Sequence, residues 1–418
     1  MLIRKFVLVI TLIVFLLSGT VISTHSQSQA DKPIPREWVD PDTGHRVIRL
    51  SDEGGSQSLY FHQNAYTPDG EKLFITTPTG LSTVNLKTRA IEKVVEGRVN
   101  IIVVGRKTGQ VYYVKDRATV YATDPKTRAT REIAKLPPRA SISNLNADET
   151  LLAGSITEGV VAGDRAPANP PGDAYPGKGE MMERRLAARL PMKLITISTA
   201  TGEVKTLLQS TDWINHIQFS PADPSLLMFC HEGPWHKVDR TWTIHTDGTA
   251  LTQIHHRTML MEIEGHEFFS GDGKMIWYDL QTPRSVDFWL AGYNVSNGER
   301  TWYHLERSEW SVHFNVSPDG TFFAGDGGGP NSVAAPGNGQ WIYLFRPEMV
   351  PDRTDGNLAN AKDLIKTGVF KAEKLVNLSK HNYSLEPNVT FTPDMKWIVF
   401  RSNMFGPTHV FAVEIAKN

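Results

Sequence analysis

Three histidines and a carboxamide, His216, His266, His313 and Asn388, stand five residues before the proline position of a recurring turn, and Gln63 holds the same offset in a further copy. One histidine in a strand is ordinarily a structural residue. Polar groups recurring at one level of a packed strand need partners or a ligand. Imidazoles there suit proton transfer near neutrality, since an unperturbed histidine titrates near about 6.5. Glu386, two residues before Asn388, falls on the same strand face by the period of two. Glu386, Asn388 and His313 together offer the oxygen and imidazole donors that manganese, magnesium or calcium takes. A soft thiolate zinc site is excluded: the one cysteine, Cys230, closes the apolar run Leu226-Leu-Met-Phe229 and reads as an inert buried thiol. A metal-free hydrogen-bond network lining a channel is the alternative that spacing leaves open.

The elements that must position these residues are short alternating runs rich in valine, isoleucine, threonine and aromatics, which make the chain all-β. A repeat punctuates them. Clear copies are Tyr66-Thr-Pro-Asp-Gly70, Phe219-Ser-Pro-Ala-Asp223, Phe269-Ser-Gly-Asp-Gly273, Val316-Ser-Pro-Asp-Gly320 and Phe391-Thr-Pro-Asp394, with weaker ones at Gly105–Gly109 and Leu145–Asp148. Proline presets φ at the first turn position and aspartate caps the turn, so the motif has a mechanical reason to recur between two strands. Seven copies at near-regular spacing predict a seven-bladed β-propeller rather than a sandwich. Outer-strand hairpins are expected at Thr43-Gly44, Thr201-Gly202, Asp247-Gly248 and Asn297-Gly298. In a propeller the strand before such a turn is innermost, so the aligned polar residues should converge on one mouth of the axial channel.

Residues 31–418 then form one propeller domain with insertions at about 164–192 and 325–340. The first carries the one credible helix, Glu180-Met-Met-Glu-Arg-Arg-Leu-Ala-Ala-Arg-Leu190, and long ordered insertions are often binding loops. The second is glycine-rich but lacks the lysine and hydroxyl of a phosphate loop. Residues 1–30 read as an export signal: Arg4 and Lys5, an apolar run from Phe6 to Leu17, then Ser28-Gln-Ala30 for cleavage. The expected location is the periplasm or the medium, with no stable membrane insertion after cleavage. Basic and acidic residues nearly balance, 44 against 45, so bulk charge favours neither nucleic acid nor an acidic membrane surface. One cysteine allows no internal disulfide, and stability must come from a large core. Oligomeric state is left open.

The segment Phe229-Cys-His-Glu-Gly-Pro234, then Val238-Asp-Arg240 and Trp242-Thr-Ile-His-Thr-Asp-Gly248, resembles the central motif of the oligogalacturonate lyases, as does Gly265-His-Glu-Phe268. The resemblance runs from Asp40-Pro-Asp-Thr-Gly44 to the last blade. It implies a propeller lyase that cleaves short galacturonate chains by β-elimination, with His266 as general base and Arg240 assisting. It also implies a divalent cation, typically manganese, held by His313 and the last-blade strand.

Arg240 offers a permanently charged fork suited to a carboxylate, and His231 could orient it or contact sugar hydroxyls. His216, Gln63, His236 and Trp235 are the expected substrate contacts, and Trp213 and Trp310 lie near enough to stack on sugar rings. The chain departs from the family where the metal should be. Glu386-Pro-Asn388 stands in place of a His-Pro-His pattern, Tyr383 replaces a glutamine, and Trp235 replaces a histidine, with His236 one position on. These changes favour a harder cation, magnesium or calcium, or an altered site. The alternative to a lyase is a non-catalytic periplasmic propeller acting as a binding or scaffold protein, which needs neither the histidine register nor Arg240. A serine peptidase is disfavoured, since no Gly-x-Ser-x-Gly elbow occurs.

Overall fold

The computed structural model describes residues 33–159, 178–330, 332, 339–353 and 357–417. The expected export signal, residues 164–177 of the first insertion and residues 331 and 333–338 of the second lie outside the described residues. Pro35–Asn418 folds as one compact unit of seven antiparallel blades. In the second blade, Asn100–Val104, Val111–Lys115, Thr119–Thr123 and Thr130–Lys135 pair in sequence order. The third (Ala140–Leu145 onward) and fourth (Trp213–Phe219 onward) repeat that order. In the first blade the inner strand shrinks to a bridge between Tyr66 and Leu73.

The fifth and sixth blades share one eight-stranded sheet, because their outermost strands, Arg300–Leu305 and Lys366–Asn377, pair in parallel. That pairing covers two edges which would otherwise expose unpaired backbone. Between these blades lies an aromatic core of Phe268, Trp277, Phe288, Trp310, Phe314, Phe323, Tyr343 and Phe345. The seventh blade is built from both ends of the unit: Thr390–Phe391, Trp397–Ser402 and His409–Glu414 are continued by Arg46–Arg49 and Glu37–Val39, with Val47 opposite Val413.

All seven expected turns join the first and second strands of a blade. Four share one clasp, in which the hydroxyl before the proline position donates to the aspartate after it: Thr67 to Asp69 (2.5 Å), Ser270 to Asp272 (2.7 Å), Ser317 to Asp319 (2.6 Å) and Thr392 to Asp394 (2.7 Å). The weak copy at Gly105–Gly109 lacks its own aspartate and borrows Glu149 from the next blade, whose carboxylate accepts from the Lys107 and Thr108 amides at 2.6 and 3.0 Å. The four hairpin glycines fall where expected. Gly248 and Gly298 take φ of 93° and 75°, a region closed to most side chains.

The helix Lys178–Ala188 docks on the fourth blade. Arg185 lies 3.9 Å from the Trp213 ring centroid, and Glu183 pairs with Lys237 at 2.8 Å. Glu180 sits in the first turn, where it favours the helix dipole, and receives Arg184 one turn on at 2.7 Å.

Because both ends of the chain complete one sheet, an anion at the seam should open the ring. Val47→Asp, at a side chain with no exposure, is expected to cost at least about 3 kcal/mol in urea unfolding, and Val39→Asp, on the exposed edge strand, within about 0.5 kcal/mol. Equal costs would show that the seam does not govern stability.

Candidate active site

The backbone turns three of the aligned residues out of their strands. His216, His266 and Asn388 have φ of 47°, 42° and 56°, left-handed values that are uncommon without glycine and carry about 1–3 kcal/mol of strain each. In the fourth and fifth blades this coincides with a slip in register, between Asn215 and Gln218 and between Gly265 and Phe268. Each slip is a bulge that re-aims a side chain.

Each histidine meets a carboxylate from the second strand of its own blade or just past it. His266 Nδ1 lies 2.9 Å from Asp279, His313 Nδ1 2.8 Å from Asp326, and His216 Nε2 3.4 Å from Glu232. Since a carboxylate only accepts, His266 carries its proton on Nδ1 and presents Nε2 as a lone pair. Burial lowers the His266 pKa, helped by His313 and Arg240 and opposed by Asp279. Burial also works against charge on His313, but Asp326 and Glu386 outweigh it and raise that pKa. The two rings stand 4.7 Å apart, edge to face.

His266 opens on a cavity of about 360 Å³, walled by the helix through Lys178 and Met182, by Trp235, His236 and Trp310, and by Glu264, Asp279, Gln281, Arg284 and Glu386. Trp235 and His236 are therefore brought to the base. Trp310 is 3 % exposed and packs on Phe288 and Phe314 as core, while Trp213 is covered by Arg185.

Arg240 lies behind this cavity, 2 % exposed, with Nε donating to Glu267 at 2.9 Å and a terminal nitrogen to Glu232 at 3.0 Å. Burial opposes ionisation of both glutamates, and the guanidinium outweighs it, holding both carboxyls below their usual range. His216 lies against the same two carboxylates, 3.4 Å from Glu232 and 3.8 Å from Glu267.

Six of the expected residues do not line the cavity: Arg240 and His216, the latter expected to contact substrate, are spent on the glutamate cluster, His313 sits behind His266, and His231, Gln63 and Asn388 are turned elsewhere. His231 alternates with Glu232 along its strand, so its ring packs against Phe229 and Trp242 instead. Gln63 braces backbone, accepting from the Tyr60 amide at 3.0 Å and donating to the Ile102 carbonyl at 2.8 Å, and it lines a separate cavity ringed by the turn prolines Pro68, Pro318 and Pro393. Between the two cavities the segment Tyr60-Phe61-His62 closes the expected channel, with Phe61 4.7 Å from His313 and 5.7 Å from Phe268. Asn388, fully buried, spends its side chain on the Phe61 amide (3.2 Å) and the Glu386 carbonyl (3.0 Å).

A model of the family described as oligogalacturonate lyase matches residues 182–418. The oligogalacturonide lyase of Pectobacterium atrosepticum is 24% identical over 410 residues, covering 90% of this chain and 95% of that protein. The oligogalacturonate lyase of Dickeya dadantii is 24% identical over 406 residues with the same coverage. Two solved structures share the fold: an oligogalacturonate lyase in complex with manganese (TM-score 0.72, 23% identity, 91% of this chain and 96% of that one) and an oligogalacturonate lyase from Vibrio parahaemolyticus (TM-score 0.70, 22% identity, the same coverage).

The metal-ligand set expected from the sequence is only partly assembled. His313 Nε2 is buried with no hydrogen-bond partner among the described residues, and Glu386 lies 3.6 Å from it. The Asn388 oxygen faces the Phe61 amide, and the Tyr383 hydroxyl donates to the Asp326 carbonyl at 3.0 Å. Among the described residues no group of three or more histidine, cysteine or acidic side chains is placed to hold a metal. One imidazole and one carboxylate do not fit a resident centre for a cation that takes about six ligands.

Removing the cation behind the cavity should unfold the protein before it alters chemistry. Arg240→Met, which strands two buried carboxylates, is expected to cost about 3–5 kcal/mol in urea unfolding. Wild-type stability in that variant would refute the role of the cluster.

Proposed function

Because the chain belongs to the oligogalacturonate lyase family, we propose that it cleaves short galacturonate or related uronate chains by β-elimination, with His266 as the base. The observation that carries this reading is the His266–Asp279 pair, whose free nitrogen opens on the cavity. Nε2 of His266 takes the proton from C5, beside the uronate carboxylate. The electron pair left behind forms the C4–C5 double bond, and the bond from C4 to the glycosidic oxygen breaks. Asp279 steadies the imidazolium that results, as a buried carboxylate does for any histidine base.

The departing oxygen needs a proton. Glu264 is buried on the cavity wall two residues before His266. Burial pushes its pKa up to about 7, so part of the population still holds a proton near neutrality, and the Thr241 hydroxyl fixes its orientation. Trp235 and His236 supply an aromatic face and a polar edge for the sugar rings. Export through residues 1–30 belongs to the same proposal and would place the reaction outside the cytoplasm.

The test is absorbance near about 235 nm, where the conjugated uronate product absorbs, with digalacturonate as substrate. His266→Ala is expected to lower turnover by about 10²–10⁴-fold with the urea midpoint unchanged, and Asp279→Asn to lower it less. Wild-type turnover by His266→Ala would end the assignment of the base.

A further inference from the structure

Elimination from a uronate requires something to hold the carboxylate and absorb the charge that reaches it when C5 loses its proton. Two cations line the cavity, and of these Lys178 is engaged, lying 5.5 Å from the Trp235 ring centroid, whereas the Arg284 guanidinium meets no carboxylate among the described residues. The cavity wall carries four carboxylates, and each is engaged: Asp279 with His266, Glu264 with Thr241, Glu183 with Lys237, and Glu386 beside His313. The guanidinium of Arg284 lines the same cavity, and its residue is fixed through the backbone, the amide donating to the Met261 carbonyl at 2.8 Å.

Next to it is a second donor. Gln281 has no exposure, yet it lines the cavity, and its Nε2 finds no partner among the described residues. The assignment of its amide atoms is forced: the atom that accepts the Ser285 amide at 2.7 Å must be the oxygen, which leaves the NH₂ group unspent. A buried amide left without a partner costs about 1–3 kcal/mol. The same side chain thus pins the loop that carries Arg284. Gln281 also lies two residues beyond Asp279 on the strand Met275–Gln281, so it shares the strand face that backs His266.

We infer that Gln281 and Arg284 form the carboxylate subsite of this cavity, a neutral N–H and a planar guanidinium in place of a bound cation. This rests on the uronate reading of the site and deepens it by naming the groups that select an acid. Arg–carboxylate pairing is planar and bidentate, and a methyl ester forfeits its charge.

The experiment is calorimetric binding of galacturonate, its methyl ester and galactose to the full chain in EDTA, alongside turnover of digalacturonate with and without EDTA. Wild type should bind the free acid at least about tenfold more tightly than the ester or galactose, a difference of about 1.4 kcal/mol, and turnover should be indifferent to the chelator. Arg284→Ala should lose the preference for the acid and raise KM about tenfold or more, while Arg284→Lys should retain part of it. Gln281→Glu keeps the oxygen that holds Ser285 and replaces the donor with an acceptor, so acid binding should be lost with the fold intact. Unchanged acid preference in Arg284→Ala would overturn the subsite, as would turnover abolished by EDTA and restored by manganese. Acid binding that depends on Arg284 without any elimination would uphold the subsite and end the lyase reading instead.

Discussion

Every polar side chain that a closed ring of sheets turns toward its axis must find its partner there, because little water reaches it. This constraint organises the site. His216, His266 and His313 each meet a carboxylate from the neighbouring strand of the same blade, and Arg240 neutralises the two glutamates that His216 does not satisfy alone. Residues held in left-handed backbone would relax back into the sheet if these partners were absent. The partners and the bulges therefore sustain each other, and the strain is kept where side chains must leave the pleat.

The environment also separates imidazoles of the same intrinsic basicity. Burial, with His313 and Arg240, lowers the pKa of His266 against the pull of Asp279, whereas Asp326 and Glu386 raise that of His313 against its burial. Sites that divide proton roles between like groups work through such differences of surroundings. The fold is shared with a manganese-bound oligogalacturonate lyase. In this chain Asn388 is given to hydrogen bonds that join the last blade to Phe61.

Much of this was legible in the sequence. The turn repeat located the blades, and the offset of five residues picked out His266, His313, His216 and Asn388 because their strands begin at one level. Their partners were not legible. Asp279 and Asp326 each follow their histidine by thirteen residues and Glu232 follows His216 by sixteen, separations that mean nothing until the hairpin between them is known, though the repeated thirteen was a usable signal. Gln63 shares the offset but not the role, because the first blade forms only a bridge where others have a strand, and the segment before it, Tyr60 to His62, fills the axis. His231 fails by the alternation of a strand, since Glu232 already takes the inward face. Gln281 and Arg284 lay in a stretch with no motif, and only the cavity gives them meaning.

The pairing of Val47 with Val413 joins residues separated by nearly the whole chain. Contacts so distant in sequence form late, since the entropy of closing the loop is spent before they return anything. Glu386 and Asn388 belong to the blade this closure completes, and Asn388 anchors Phe61 beneath His266 and His313. The cavity beside His266 is therefore completed by the same blade that closes the ring. Until that blade is closed, the chain lacks the element that carries Glu386 and Asn388 and the anchor of Phe61.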